Sequence, residues 1–157
     1  MRMVKTNAIR QIETKKIKVK LYEYNAPDGF LDGIHVAQEI GMPLEMVYKT
    51  LVTQGHSKTY YVCVIPVDKE LDLKLAAKIF NEKKLEMIPA KEITEVTGYI
   101  KGGCSPIGMK KQFKTVIDLS AERQKTILVS GGRVGLQVEI ETEALRNLAG
   151  AQFGQIV

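Results

Sequence analysis

Apolar and polar positions along the chain change period several times, and each change marks an element. In "TNAIRQIETKKI", Ala8, Ile9 and Ile12 share a helical face with Lys16 at its end, and Thr6 or Asn7 stands where a cap belongs. "KVKLYEY" then alternates, with Val19 and Leu21 on one side and Tyr22 and Tyr24 on the other, which predicts a strand. From Asp32, "DGIHVAQEIG" returns to helical spacing, with Val36, Ala37 and Ile40 inward and Gly41 at the stop. "VYKTLVTQ" and "TYYVCVIPV" are β-rich runs that flank the turn "GHSK" and predict a hairpin. "DLKLAAKIF" predicts a helix capped by Asp72, "KKLEMIP" a short strand ended by Pro89, and "KEITEVTG" a helix closed by Gly98. "TVIDL", "TILVS" and "LQVEI" read as strands, the last two joined by "GGRVG". "TEALRNLAG" predicts a final helix capped by Thr142 and closed by Gly150, and "AQFGQIV" an edge strand.

Short helices scattered among seven or eight strands with hairpin-length links predict an α+β fold. The sheet is expected to be mixed or antiparallel, closed on itself or not, rather than doubly wound and parallel. A length of 157 residues suits one domain spanning 1–157. The basic start "MRMVKTNAIRQIETKK" has no apolar core, and "YYVCVIPV" is far too short to span a bilayer. No membrane partner is therefore expected, and the cytoplasm is the expected address. Two cysteines, Cys63 and Cys104, and two scattered histidines, His35 and His56, offer neither a zinc site nor a disulfide framework. A net charge of +5 admits an anionic partner without requiring one.

Four features carry candidate chemistry. "GYIKGGCSPIGMKKQF" contains no GxxxxGK[ST] and no GxGxxG, so a nucleotide loop is not indicated. Its Gly102 and Gly103 amides can turn toward an anion or a developing oxyanion, or else simply make a tight turn. Cys104 lies in that loop, but a thiol nucleophile needs a base, and no histidine is placed beside it by sequence; Cys63, mid-strand, reads as inert core. Lys49 sits in "MVYKTLV" on the side of Val47 and Leu51, so it either snorkels at an edge or points into a pocket. In "VSGGRVG", Ser130, the Gly131 amide and Arg133 make either an anion or carbonyl site or a glycine hairpin turn.

Taken together, "KTNAIR", "VYKTLVT", "YYVCVIPVDKELDLKLAAK", "EMIPAKEITEVTGYIKGGCSPIGMKKQF", "VSGGRVGLQVEI" and "LAGAQFGQI" resemble the YbaK family of aminoacyl-tRNA deacylases, relatives of the editing domain of bacterial prolyl-tRNA synthetase. The resemblance runs nearly end to end. It implies a compact, mixed, barrel-like sheet surrounded by short helices, with no cofactor and no metal. It implies hydrolysis in trans of the ester of a mischarged tRNA, cysteine on proline tRNA above all, with aminoacyl-tRNA and prolyl-tRNA synthetase as partners and no DNA. A tRNA- or synthetase-binding module without turnover is the alternative.

By the same resemblance Lys49 matches an essential lysine and Gly102 a glycine whose backbone holds substrate. Thr50 and Ser130 match polar pocket residues, and Tyr22 and Phe30 aromatic ones. Gln137 stands where some members carry an acid. An ester of cysteine also brings its own thiol, so the enzyme need supply only position and charge.

Overall fold

Side-chain caps start three of the helices. In the computed structural model, which describes residues 5–27, 29 and 31–157, the Thr6 hydroxyl accepts from the Ile9 N–H and opens α1 (Asn7–Thr14). Asp32 does the same for α2 (Gly33–Ile40) and Asp72 for α3 (Leu73–Phe80). Gly41 and Gly150 end α2 and α5 (Thr142–Ala149) in the left-handed conformation, as the C-terminal glycine rule requires. Two details depart from the sequence reading. Helix α1 stops before Lys16, which is exposed at a φ of 55°. The cap of α5 is Glu141 without a side-chain bond, because the Thr142 hydroxyl donates instead to the Gln124 carbonyl.

The strands are β1 (Lys20–Glu23), β2 (Tyr48–Gly55), β3 (Tyr60–Pro66), β4 (Leu85–Met87), β5 (Lys114–Asp118), β6 (Thr126–Ser130), β7 (Leu136–Glu141) and β8 (Ala151–Gly154). A short helix α4 (Ile93–Thr97) precedes the glycine loop. Strands β2 and β3 form the expected hairpin, with Lys49 opposite Ile65. The five-stranded sheet runs β4-β2-β3-β5-β8 and is mixed: β3, β5 and β8 are parallel, the rest antiparallel. A second, antiparallel sheet runs β1-β7-β6. The barrel-like closure implied by the resemblance is not what these strands show. Among the described residues they form two separate sheets, joined by one isolated parallel bridge between Val47 and Leu128.

Both sheets contribute to the main core, which holds Val62, Val64 and Ile117 from the larger sheet and Val129, Leu136, Val138 and Ile140 from the smaller. The other face of the larger sheet packs Cys63, Ile65 and Val116 against α3 through Ala76, Ala77 and Phe80. A third, smaller cluster of Ala37, Val47, Val67 and Leu128 sits where the sheets meet. On β1 the two sides differ: Tyr22 packs against that third cluster, while Leu21, on the other side, is 40% exposed. Strand β1 is the edge of its sheet, so only one of its faces has a deep partner.

Candidate functional site

Strand β4 pairs with β2 only from Thr53 to Gly55. The other half of β2, from Tyr48 to Val52, has β3 on one side and, among the described residues, no strand on the other. There the sheets part beyond the Val47–Leu128 bridge, and a cleft of about 750 Å³ opens. Its β2 lip carries Lys49, Thr50 and Leu51; its opposite lip carries Ser130 and Gln137 from β6 and β7. Val36, Val47, Ile88 and Ile93 give it apolar wall, and Lys101, Gly102 and Cys104 of the glycine loop close one side.

The polar groups in this cleft are under-used. Lys49 is half-buried and makes no hydrogen bond or ion pair among the described residues. Thr50 Oγ1 and Gln137 Oε1 are buried with no partner among the described residues, and both belong to this lining. Buried polar atoms are normally paired, so two orphans in one cleft mark a place for a polar ligand. Ser130 Oγ accepts from the Gly132 N–H at 3.2 Å, which turns the end of β6. Ser130 and Tyr22 both stand opposite Gln137 in the ladders, so the three form one row across the smaller sheet.

Neither thiol is prepared to attack. Burial pushes Cys104 up to about 11 and Cys63 up to about 12, so both are protonated near neutral pH. His35 lines the cleft mouth, but its Nδ1 lies 2.5 Å from Asp32 Oδ2 on the exposed start of α2. His56 sits in the turn of the β2–β3 hairpin and does not line the cleft.

The glycine loop is bare because it packs tightly. A Cβ on Gly103 would lie 2.9 Å from the backbone of Arg133 and Val134, so this loop and the "VSGGRVG" turn touch backbone to backbone. The Gly103 N–H donates to the Ile100 carbonyl at 3.0 Å, and Gly102 holds a φ of 85°, open to glycine at little cost. Tyr99 Oη donates to the Ile107 carbonyl at 2.6 Å and fixes the loop's far side.

Residues 34–148 match the model of a family described as the aminoacyl-tRNA editing domain. The chain belongs to the aminoacyl-tRNA editing domain family. Among its relatives, an Enterococcus faecalis protein named "Putative Cys-tRNA(Pro)/Cys-tRNA(Cys) deacylase EbsC" is 44% identical over 97% of this chain and 93% of its own length. Part of the proline–tRNA ligase of Thermosipho africanus is 28% identical over 61% of this chain, which is 17% of that ligase. A crystal structure described as "a putative trans-editing enzyme for prolyl tRNA synthetase" superposes with a TM-score of 0.82 over 98% of both chains at 23% identity, a likeness of fold.

Set on the editing-domain fold, the residues singled out from sequence divide into two groups. Lys49, Thr50, Gly102 and Ser130 line one cleft. Gly103, Gly131, Arg133 and Tyr22 do not line it. Gly131 leaves room for Leu136, whose Cδ2 would lie 2.7 Å from an added Cβ. Arg133 folds back, with Nη1 donating to the Val134 carbonyl at 3.2 Å. Tyr22 donates its hydroxyl to Glu139 at 2.7 Å. Phe30 lies outside the described residues. Sequence reasoning missed Tyr24, which reaches the cleft two residues beyond Tyr22 on the same alternation. It noted Gln137 only as a departure, whereas the orphaned oxygen makes it a lining group in its own right.

Proposed function

We propose that this editing-domain protein is an aminoacyl-tRNA deacylase that acts in trans on cysteine esterified to tRNA, with cysteinyl-tRNA(Pro) as its principal substrate. The observation that carries the reading is a Lys49 ammonium, unpaired among the described residues, in a cleft that contains no ionised thiol and whose one carboxylate, Asp32, is taken up by His35. Such a cleft suits a substrate that supplies the attacking atom itself.

In this mechanism the cysteinyl group enters between the β2 lip and the glycine loop. Lys49 and the Gly102 backbone bind the ester carbonyl, while Thr50 Oγ1, Ser130 and Gln137 Oε1 hold the amino group. The substrate sulfur adds to its own carbonyl carbon. A C–S bond forms, the ester C–O bond breaks, and the thiol proton ends on the released ribose oxygen. The product is a cysteine thiolactone, which water later opens. No electrons change hands. Well-oriented intramolecular attack is worth roughly 7–11 kcal/mol, and each preorganised donor at the oxyanion about 2.7–4 kcal/mol, so one lysine and backbone amides suffice. The whole chain, 1–157, acts as one domain in the cytoplasm, and prolyl-tRNA synthetase is a transient partner that retains the tRNA. No cofactor and no metal takes part.

The test is incubation with cysteinyl-, seryl-, alanyl- and prolyl-tRNA, following loss of the ester and trapping the first product. The expected result is fastest loss of cysteine as thiolactone. Seryl-tRNA cleaved as fast as cysteinyl-tRNA overturns the thiol-assisted step. Binding of all four with no ester lost overturns the enzyme and leaves a binding module.

A further inference from the structure

Residues 5–20 contain six Lys or Arg and one acid, Glu13. Their net charge of +5 equals that of the entire chain, so everything else sums to zero. Residues 96–117 carry a second excess, four lysines and no acid, but 5–20 is the denser run, and clustering of this kind points to a polyanionic partner.

Glu13 pairs with Lys5 at 3.0 Å. Arg10, Lys15, Lys16, Lys18 and Lys20 are exposed and have no ion pair among the described residues. Lys20 stands opposite Glu139, whose carboxylate already accepts from Tyr22 Oη and Thr126 Oγ1, each at 2.7 Å. Lys16 occupies the left-handed position after α1, where glycine carries the least strain. A lysine kept there projects charge at a cost in backbone energy.

The patch also leads to the cleft. Tyr22 stands opposite Gln137, which lines the cleft, and Tyr24 lines it directly. The two-residue alternation of β1 puts Lys20 on the same face as Tyr22, about 7 Å along the strand, and Lys18 lies two residues before it in the run that enters β1. Strand β1 is the outer edge of its sheet, so this row is open to a long ligand.

We infer that the end of α1 and the run into β1 form the docking surface for the phosphate backbone of a tRNA acceptor stem, whose 3′ ester then reaches the Lys49 cleft. This rests on the deacylase reading for the ester and on the charge distribution for the docking. The experiment measures binding of uncharged tRNA as a function of salt, alongside cysteinyl-tRNA turnover. The variant Lys15→Gln, Lys16→Asn, Lys18→Gln removes three charges, and asparagine tolerates the left-handed turn. Its Kd for tRNA is expected to rise by about tenfold or more, with a log–log salt slope shallower by about 3. Lys74→Gln, Lys78→Gln, Lys83→Gln removes the same charge from exposed positions on and just after α3 and is expected to stay within about twofold of the parent. Should the first variant melt low, Arg10→Gln with Lys18→Gln, both clear of the turn, carries the same test.

Equal affinity and slope in parent and patch variant overturn the docking surface, even if the variant loses affinity for an acidic protein instead. No tRNA binding by the parent overturns it too. Patch-dependent binding with no turnover of cysteinyl-tRNA keeps the surface and removes the deacylase reading.

Discussion

Two polar clusters in this fold look alike in composition and differ in bookkeeping. At the far end of the β2–β3 hairpin, Glu82 accepts from the Ser57 hydroxyl, the Ser57 N–H and Tyr61 Oη, and Tyr61 stacks on Phe80 at 4.2 Å. In the cleft at the other half of β2, Lys49, Thr50 Oγ1 and Gln137 Oε1 have no partner among the described residues. The first cluster is finished by folding alone. The second is completed only by something that enters. A satisfied network holds structure, and an unsatisfied one in a cleft stores recognition.

The sharpest way to break this contrast is Lys49→Ala. Turnover of cysteinyl-tRNA is expected to fall by about 10²–10³ or more, with the melting temperature unchanged. Lys49→Arg is expected to fail as well, because a planar fork does not replace a compact ammonium. A folded Lys49→Ala protein with ordinary kcat/KM removes the lysine from the mechanism.

Next in size is Gly103→Ala. The new methyl meets Arg133 backbone at 2.9 Å, so one of the two glycine loops must move. Overpacking of this kind costs about 1–3 kcal/mol, readable in a urea melt, and turnover should drop with it. Unaltered stability would mean that the two loops are not locked together.

Thr50→Val and Gln137→Met test the orphans with opposite signs for stability and function. Each removes a buried, unpaired oxygen, so the melting temperature should hold or rise, while KM for cysteinyl-tRNA should increase several-fold. A fall in stability without any change in KM would move both residues into the structural class.

Tyr61→Phe is the mirror experiment. It keeps the ring stack and deletes one donor to Glu82, so melting should drop by a few degrees with kcat/KM intact. The pH dependence has a definite sign. Glu82 is held below its ordinary value, by the Ser57 hydroxyl first and Tyr61 second, so its contribution is present above the unfolded carboxylate range and lost on acidification. Tyr61 is raised by burial and then by Glu82, so its share persists below the ordinary tyrosine range and is lost at higher pH. The parent's advantage over the variant should therefore shrink at both ends of the scale.

The smallest effect belongs to Cys104→Ala. With the thiol protonated by burial, activity on cysteinyl-tRNA should stay within about threefold. A dead but folded variant would return the nucleophile to the protein.

What could be read in the chain depended on distance along it. The caps at Thr6, Asp32 and Asp72 and the hairpin around "GHSK" are local, and local chemistry decided them. Lys49 and Ser130 line one cleft because a bridge brings together residues as remote as Val47 and Leu128, and no periodicity announces such a contact. Alternation in β1 separates Leu21 from Tyr22 but does not say which side is covered; the structure covers that of Tyr22 and leaves Leu21 exposed. Tyr22 was an aromatic on the right strand, but its hydroxyl is taken by Glu139, and the cleft begins one alternation later at Tyr24.

The unpaired half of β2 also bears on solubility. An apolar strand with a bare edge invites pairing with a second molecule, and a charge at its centre is a standard defence. Lys49 is that charge, flanked by Tyr48 and Val47 before it and Leu51 and Val52 after. The side chain that the deacylase proposal sets at the ester also places a charge on this edge, against self-association. On that proposal, colloidal behaviour and chemistry rest on one side chain, which narrows the routes by which this position can change.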